Sequence, residues 1–348
     1  MHVGLLGCGK ISGIYLKNLM GQRGAVRVTA CADAAPQAAK ATAAEWGIRA
    51  MAPDELLEAA DIDCILLLTP PAAHFELGMQ VLESGKHLYV EKPLALTVSQ
   101  GKMLLKRARD KRLRVGCAPD TFLGAGLQTV FSAISRGDIG KPIAAAAFML
   151  CAGHELWHPS PEFYYKTGGG PIFDMAPYAL TALLKVFGPP KEVCAMGARS
   201  FSSRAVATGP RQGERFPVEV DTIISGQVRF ACGALVNLFY SFDTAPTSLP
   251  HLEIYGEKGT ILAPDPNFFN GPVKLGLQNG EGWRTLALQG EAPAYNARGI
   301  GLVDMAEAVR ENRPHQADAE TGLQVLAVME ALLQAATHQN VVHIDCNL

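Results

Sequence analysis

The sequence has little of three features that mark other classes of protein. Its 348 residues carry 31 basic and 33 acidic side chains, a formal net charge of -2, so it presents no strong field to nucleic acid or anionic lipid. The apolar runs at 65–69 and 144–152 are far shorter than the roughly 20 residues of a membrane-spanning helix. The eight cysteines form no Cys-x-x-Cys pair, which favours reduced structural thiols over disulfides or zinc ligands.

The amino-acid composition is typical of a folded globular protein. Hydrophobic residues make up 48% of the chain and charged residues 18%, which excludes wholesale disorder. At about 150 residues per domain, the length predicts two domains. The amino-terminal segment has no basic region, and Gly4, Gly7 and Gly9 interrupt any signal-peptide helix. We therefore expect a cytoplasmic protein.

The first third of the chain alternates short apolar runs with segments of helical periodicity. Buried strands are predicted at 3–7, 26–31, 64–69, 87–90 and 113–117, and helices at 11–20, 36–46, 53–60, 73–83 and 98–109. Strands that alternate with helices predict a doubly wound parallel sheet, over residues 1–120.

After about Pro119 the pattern changes to consecutive extended runs joined by short turns. Helices are predicted at 124–136, 175–187, 297–311 and 319–338, and the strands between them favour a large, open, mostly antiparallel sheet. Residues 200–216 are predicted to form an exposed loop. The second domain, residues 121–348, is therefore expected to be α+β.

A glycine-rich turn lies directly between the first predicted strand and the first predicted helix. Gly7 permits the tight turn, Gly9 lets a pyrophosphate approach the backbone, and Ser12 is the small residue that helix packing needs. The helix N-terminus adds N–H groups and a positive dipole. Asp33 closes the second predicted strand, where an acid accepts hydrogen bonds from the adenosine ribose and repels a 2'-phosphate. The sequence predicts NAD in preference to NADP.

Four motifs follow one another along the chain: Gly7-Cys8-Gly9-Lys10-Ile11-Ser12, Thr69-Pro70-Pro71-Ala72-Ala73-His74, Glu91-Lys92-Pro93, and Gly168-Gly169-Gly170-Pro171-Ile172-Phe173-Asp174 leading to Tyr178. In this order the chain resembles the Gfo/Idh/MocA family of nicotinamide-dependent oxidoreductases. The resemblance covers essentially the whole chain. It implies an N-terminal Rossmann domain, a C-terminal open sheet used in oligomer contacts, and hydride exchange with a sugar, cyclitol or related polyol. The predicted cofactor contacts are Gly7, Gly9, Lys10, Ile11, Ser12, Asp33, Thr69, Pro70, His74, Glu91 and Lys92.

The resemblance also implies three catalytic residues. In such enzymes the lysine at Lys92 lies near the nicotinamide ribose and the substrate, and the acid at Asp174 hydrogen-bonds the substrate and helps to place the base. The family pattern has His four residues later, but this chain has Tyr178. Positions i and i+4 share a helix face, so both side chains are expected to point into the cleft. A phenol is a poor base at neutral pH unless a cation such as Lys92 stabilises its phenolate; for Asp174 the alternative is a helix N-cap.

The segment His154-Glu155-Leu156-Trp157-His158 spells the zinc-protease motif H-E-x-x-H. That motif works only on an α-helix, and Pro159 disfavours helical geometry, so we expect no metal site. Aromatic and hydrogen-bonding groups together suit a sugar, which predicts a substrate loop. Its expected substrate contacts are His154, Trp157, His158 and Tyr165, with Lys92, Asp174 and Tyr178. His154 or His158 is the alternative base, and packing against a partner subunit is the alternative role of the loop.

These observations predict an NAD-dependent oxidoreductase acting on CH–OH groups. It transfers hydride between the nicotinamide and a secondary alcohol or ketone of a sugar, glycoside or cyclitol, and substrate enters between the domains. A homodimer or homotetramer is expected. Two other hypotheses stay open: a glycoside hydrolase that uses tightly held NAD in a redox cycle, and a non-catalytic nucleotide-binding regulator.

Overall fold

The computed structural model describes residues 1–21, 24–278, 280–290 and 296–345, and these residues divide into two units. The first unit comprises Met1–Leu123 and Asn296–Leu326. The second comprises the described residues of Gly124–Tyr295 and Ala327–Leu348. Residues 296–326, which a single division at residue 120 assigns to the second domain, therefore belong with the first. The separate functions of the two domains stay a prediction.

The first unit is built on a parallel sheet of six strands. Its elements in chain order are β1 (His2–Leu6), α1 (Ser12–Met20), β2 (Arg27–Ala32), α2 (Pro36–Trp46), β3 (Arg49–Ala50), α3 (Pro53–Glu58), β4 (Cys64–Leu67), α4 (His74–Glu83), β5 (His87–Val90), α5 (Val98–Lys111), β6 (Val115–Cys117) and, after the second unit's sheet, α8 (Ile300–Glu311). The strand order is β3-β2-β1-β4-β5-β6. All four residues of β4 are buried, as expected of a central parallel strand covered on both faces. This is the predicted doubly wound fold.

Local sequence signals fix the helix ends in this unit. Pro36 opens α2, and Gly47 ends it in the left-handed conformation. The Thr97 hydroxyl accepts a hydrogen bond from the Gln100 N–H, 3.2 Å away, and so caps α5. The strand order reverses direction between β1 and β4, which opens a crevice at the carboxyl ends of these two strands. The residues that follow β1 and β4 therefore border one crevice.

The second unit is built on a mixed sheet of nine strands. Its elements are α6 (Ala125–Ser135), β7 (Pro142–Leu150), α7 (Gly170–Phe187), β8 (Pro190–Ala198), β9 (Ser203–Ala205), β10 (Arg215–Pro217), β11 (Ile223–Phe230), β12 (Leu235–Ser241), β13 (Leu252–Gly256), β14 (Gly259–Ala263), β15 (Val273–Leu277), β16 (Trp283–Leu286) and β17 (Val342–His343). The order is β16-β15-β14-β13-β7-β12-β11-β8-β17, and among the described strands only β7 and β12 pair in parallel. The helix α9 (Ala319–His338) begins in the first unit and ends in the second.

One face of this sheet is covered by helices, and α7 packs on β7, β11 and β12. Strand β11 alternates accordingly, since every second residue from Ile224 to Phe230 is buried. The other face carries apolar side chains outward: Met196 on β8 is exposed, and Phe148 on β7 and Phe239 on β12 are half-buried neighbours in register. This face is the open side of the sheet.

Two predictions about the second unit need correction, one strand was missed and one alternative is excluded. Residues 200–216 are not only an exposed loop, because β9 and β10 pair there as a hairpin that buries Val206 and Phe216 against Tyr165. The strand β15 was not predicted. Helix α7 begins at Gly170 and not at residue 175, which places Asp174 inside the helix. The alternative role of Asp174 as a helix N-cap is therefore excluded, because Gly169 stands at that position.

The described residues include no helix that is both long and apolar enough to span a membrane. The cysteines at 8, 31, 64, 117, 151, 194 and 232 are free thiols. Cys346 was also predicted to be reduced, and it lies outside the described residues.

Candidate functional site

The turn after β1 has the geometry that a pyrophosphate needs. Gly7 has φ +105°, and a Cβ at this position would lie 2.7 Å from the carbonyl carbon of Leu68 and 2.9 Å from the nitrogen of Thr69. Only glycine fits between the ends of β1 and β4. A Cβ at Gly9 would meet no protein atom within 4 Å, so the space beside Gly9 is open to a ligand.

Asp33 ties the end of β2 to this turn. Its Oδ2 accepts a hydrogen bond from the Cys8 N–H at 2.8 Å, and its Oδ1 accepts one from the Ala35 N–H, also at 2.8 Å. A carboxylate oxygen has a second lone pair for a ribose hydroxyl. The predicted ribose contact is therefore compatible with the position of Asp33, and the carboxylate also orders the phosphate-binding turn.

The start of α1 follows the turn and offers its dipole to an anion. The hydroxyl and the N–H of Ser12 both bond the carbonyl oxygen of Gly9, and Ser12 is buried, as its packing role requires. Ile11 is the N-cap, and no side chain caps the helix, so the N–H groups of its first turn beyond Ser12 can bind an anion. Lys10 is exposed at the same turn.

His74 is a buried structural residue. Its Nδ1 lies 2.7 Å from the carbonyl oxygen of Pro93, and its Nε2 lies 2.8 Å from that of Thr69. Burial lowers the pKa of His74, which keeps the ring neutral and donating to one of the two carbonyls. His74 thereby joins the segments that follow β4 and β5. Its contact with the nicotinamide stays a prediction.

Lys92 follows β5 and is held through its main chain. Glu91 accepts a hydrogen bond from the Lys92 N–H at 2.8 Å with one oxygen and from the Tyr15 hydroxyl at 2.8 Å with the other. Burial raises the pKa of Tyr15, so this hydroxyl stays a donor. The side chain of Lys92 is half-buried. Glu91 therefore positions Lys92.

The residues of the first unit by themselves fit NAD. A glycine that no other residue can replace, an open space beside Gly9, an uncapped helix and a carboxylate at the end of β2 lie at one crevice. Thr69 adds a buried hydroxyl oxygen without a hydrogen-bond partner, and Pro70 lies exposed beside it. These are the groups that a dinucleotide uses at the switch point of such a sheet.

Helix α7 of the second unit carries two candidate catalytic side chains. Asp174 lies one turn inside the helix and Tyr178 follows one turn later, at the i+4 spacing that the sequence predicted. Tyr178 is buried and the Asp174 side chain is 15% exposed. Their shared helix face carries the site.

The structure brings His154 against Asp174. The Nε2 of His154 lies 2.8 Å from Oδ2 of Asp174, and the indole N–H of Trp157 points to Nδ1 of His154 at 3.2 Å. An indole nitrogen only donates, so Nδ1 is the acceptor and Nε2 carries the proton that Asp174 receives. This is the arrangement of a general base oriented by a carboxylate.

Aromatic rings surround His154. The Tyr164 and Phe242 ring centroids lie 4.2 Å and 4.4 Å from the imidazole centroid, and Trp157, 47% exposed, covers it from outside. The predicted substrate contact of Tyr165 needs correction, because this residue is fully buried beneath His154. Trp157 and the half-buried Tyr164 form the exposed edge of the cluster.

The H-E-x-x-H motif does not form an α-helix. Its first three residues make a single 3-10 turn, His154–Leu156, so the two imidazoles do not stack one helical turn apart. His158 accepts a hydrogen bond from the Ser160 N–H at 3.0 Å through Nδ1. Within the described ranges, no group of three or more His, Cys, Asp or Glu side chains could hold a metal ion.

Two family models match the chain, one in each of its two main parts. Residues 1–118 match the family model described as oxidoreductase family, NAD-binding Rossmann fold, and residues 127–262 match the GFO/IDH/MocA C-terminal domain. The chain belongs to the Gfo/Idh/MocA family. As a member of this family it is an oxidoreductase, and the cofactor of its Rossmann fold is NAD.

Individual Gfo/Idh/MocA proteins resemble the chain at low identity. It is 26% identical over 99% of both chains to a 1,5-anhydro-D-fructose reductase of Ensifer adhaerens. It is 25% identical to an inositol 2-dehydrogenase of Rhizobium meliloti, over 81% of this chain and 80% of that one. A levoglucosan dehydrogenase solved with NADH and L-sorbose shares the fold at a TM-score of 0.87, with 20% identity and 99% of each chain covered.

The sequence did not identify Arg204 and Asp243. The Arg204 guanidinium bonds Glu155 and Asp243, and all three side chains are at most 9% exposed. Arg204 lies in the segment predicted as a loop, and its partners are 49 and 39 positions away along the chain. Three charged residues in polar surroundings give no sequence signal of mutual burial.

Proposed function

We propose that this Gfo/Idh/MocA protein is an NAD-dependent dehydrogenase that oxidises a secondary alcohol of a sugar, glycoside or cyclitol. The observation that supports it most is the 2.8 Å contact between His154 and Asp174, because it supplies the proton acceptor that Tyr178 alone would not. The activities of two relatives, on inositol and on 1,5-anhydro-D-fructose, support the substrate class. Trp157 and Tyr164 offer the aromatic faces that suit a sugar ring.

Proton transfer from the alcohol is assigned to His154. The substrate hydroxyl replaces the Trp157 indole as the donor to Nδ1, and this nitrogen takes the hydroxyl proton. Asp174 then stabilises the imidazolium through Nε2, to which it is already bonded. When bound, NAD supplies the acceptor for the hydride that leaves the carbinol carbon.

Two further residues act on the oxygen of the reacting alcohol. The ammonium of Lys92 orients the hydroxyl and stabilises the negative charge that develops on it. The hydroxyl of Tyr178 supplies a hydrogen bond from the same face of α7 as Asp174. His158, on the same loop as Trp157, is assigned to bind the part of the sugar away from the reacting carbon.

An initial-rate survey of NADH formation tests this function. Aldoses, their glycosides and inositols are offered with NAD, and the same panel with NADP is the control. We expect NADH with at least one polyol and a preference for NAD, since Asp33 repels a 2'-phosphate. Release of an aglycone without accumulated NADH would identify the redox-assisted hydrolase instead, and NAD binding without any turnover would identify a regulator.

We also propose that the protein is a cytoplasmic homodimer or homotetramer. The exposed Met196 and the half-buried Phe148 and Phe239 on the open side of the nine-stranded sheet support a subunit interface. The free thiols of the described cysteines support a reducing compartment.

A further inference from the structure

Arg204 sits at the centre of a buried charged network beneath the substrate loop. Its guanidinium donates to Glu155 and to Asp243, and a third bond of 3.1 Å reaches the carbonyl oxygen of Phe242. The second oxygen of Asp243 accepts from the Thr222 hydroxyl at 2.5 Å. A buried ion destabilises the fold unless it is paired and hydrogen-bonded. Here the two carboxylates of Glu155 and Asp243 pair with the one guanidinium of Arg204.

The network continues to the main chain of His154. The Tyr165 hydroxyl donates to Glu155, and its oxygen accepts a hydrogen bond from the His154 N–H at 3.1 Å. Burial and the neighbouring Glu155 raise the pKa of Tyr165, so the hydroxyl keeps its proton. Gly153 makes room for this packing, since a Cβ there would lie 2.4 Å from Glu155 Oε2 and 2.7 Å from the Tyr165 oxygen.

Arg204 also acts on the opposite side of the imidazole. The Phe242 ring contacts the His154 ring edge to face, with centroids 4.4 Å apart, and the carbonyl of the same residue is bonded to Arg204. The guanidinium therefore holds both the turn that carries His154 and the ring that packs against it. Neither contact places Arg204 on the reacting atoms.

We propose that Arg204 is a positioning residue, which acts through Glu155 and Tyr165 to hold the His154 ring with Nε2 on Asp174. This inference rests on the proposed function, in which His154 takes the proton. A planar guanidinium suits the role because it bonds two carboxylates and a carbonyl at fixed angles, which an ammonium on a flexible chain does not.

Several ionisable groups lie near His154 and enter any pH dependence of the reaction. They are Asp174 on α7, Tyr164 and Tyr165 on the 3-10 turn Glu162–Tyr165, Glu155 and His158 on the loop itself, Cys151 after β7, Arg204 on β9 and Asp243 after β12. Removal of one hydroxyl from this set changes no formal charge. Tyr165→Phe therefore tests the network without changing the charge around His154.

The test compares Tyr165→Phe and Arg204→Lys with two matched controls. Tyr240→Phe removes a buried hydroxyl on β12, outside the network, and Arg136→Lys alters an exposed arginine at the end of α6. With the best polyol of the substrate survey, we expect kcat to fall about tenfold in both test variants, the cost of one lost positioning contact, with KM nearly unchanged. The acid limb of the kcat pH profile is expected to move as well. Both controls should keep wild-type kinetics.

A second readout does not depend on turnover. Nitrogen NMR of histidine-labelled protein, assigned with His154→Gln, reports which ring nitrogen carries the proton. We expect one tautomer, protonated at Nε2, in the wild type and a mixture in both test variants. Wild-type kcat, pH profile and tautomer in these variants, with only a lowered melting temperature, would overturn the positioning role. A fixed wild-type tautomer in a protein that oxidises no polyol would refute the proposed function while leaving the geometry intact.

Discussion

The side chains that carry the proposed chemistry differ in how they are held. Lys92 is fixed through its main chain by Glu91, whereas His154 is fixed through both ring nitrogens. A side chain whose ring is already oriented loses little entropy on binding substrate. Variants of the two residues should therefore separate proton transfer from binding of the hydroxyl.

Lys92→Met is expected to leave NAD binding within about twofold of wild type and to cut kcat by at least about a hundredfold, because the variant loses its assistance to the developing oxyanion. Titration of NAD by fluorescence and steady-state kinetics measure the two quantities. Lys106→Met, at an exposed site on α5, is the control. Wild-type turnover in Lys92→Met would remove this residue from the mechanism.

His154→Gln should lower kcat by about two to four orders of magnitude, the usual scale of lost acid–base catalysis. An amide can still bond Asp174, so we expect the melting temperature to change little. His338→Gln, at the end of α9, is the matched exposed histidine. Were kcat to survive in His154→Gln and fall in Tyr178→Phe, the phenol would be the base.

At the residue scale, sequence identified the groups with local signals. Gly7 and Asp33 stand at defined offsets from strand ends, and the structure gives both the positions expected of them. The contact between His154 and Asp174 joins a loop to a helix 20 positions later, and periodicity does not report it. Tyr165 was misassigned because an aromatic residue in a polar loop gives no sign that it points inward.

At the scale of elements, variants of the two glycines in the phosphate-binding turn distinguish an effect on cofactor binding from an effect on folding. Gly9→Ala should fold with an unchanged melting temperature, since its Cβ meets no protein atom, yet it should weaken NAD binding at least about tenfold by filling the space of the pyrophosphate. Gly7→Ala should lower the melting temperature itself, because its Cβ would collide with the main chain after β4. Equal NAD affinity in Gly9→Ala and wild type would place the cofactor elsewhere.

A second prediction concerns the start of helix α8. Oδ2 of Asp120 accepts the N–H groups of Gly299 and Gly301 at 2.8 and 3.0 Å, and burial raises the pKa of this carboxyl to about 6. An unfolded aspartate titrates near pH 3.9, so the folded protein binds the proton more tightly. The stability that this proton contributes is present below about pH 4 and is lost as the pH rises through about 6.

Asp120→Asn removes that titration and keeps an acceptor oxygen for both N–H groups. We expect the free energy of unfolding of the variant, relative to wild type, to increase by about 2 to 3 kcal/mol between about pH 4 and pH 7. Urea unfolding at each pH measures it. A difference that does not vary with pH would show that the carboxyl is not perturbed.

The elements that sequence predicted are those with uninterrupted local patterns. The four buried residues of β4 and the Pro36 and Gly47 signals of α2 needed no knowledge of their partners. The hairpin of β9 and β10 was missed because its strands mix polar and apolar residues, and the partners that bury Arg204 and Phe216 lie elsewhere in the sequence. Its length of three residues per strand leaves too little pattern to detect.

At the scale of the whole molecule, long-range contacts decide which segments belong together. The N–H of Cys117 bonds the carbonyl oxygen of Ala317 at 2.9 Å, and Asp120 binds the start of α8, so residues 296–326 join the first unit. Hydrophobic periodicity within α8 is equally compatible with either unit. Sequence could predict helix α8 but not which of the two units contains it.

The open side of the nine-stranded sheet yields a prediction about assembly. Phe239→Glu should dissociate the proposed oligomer to the 37.1 kDa chain, because it buries a charge where Phe148 and Phe239 would meet a partner. Sedimentation velocity at low micromolar protein measures this. Met103→Glu, an exposed site on α5, is the control. A wild-type protein that sediments as a monomer would refute the proposed interface.

Hydride transfer from the substrate to NAD is tested most directly by following a single hydrogen atom. A polyol active in the substrate survey is labelled with deuterium at its carbinol carbon and incubated with the protein and NAD, and the reduced nicotinamide is analysed by mass spectrometry. We expect the label to move into the nicotinamide in proportion to the ketone formed, and His154→Gln to slow this transfer. Label that stays in a hydrolysed product, or passes to water without reduced cofactor, would contradict it.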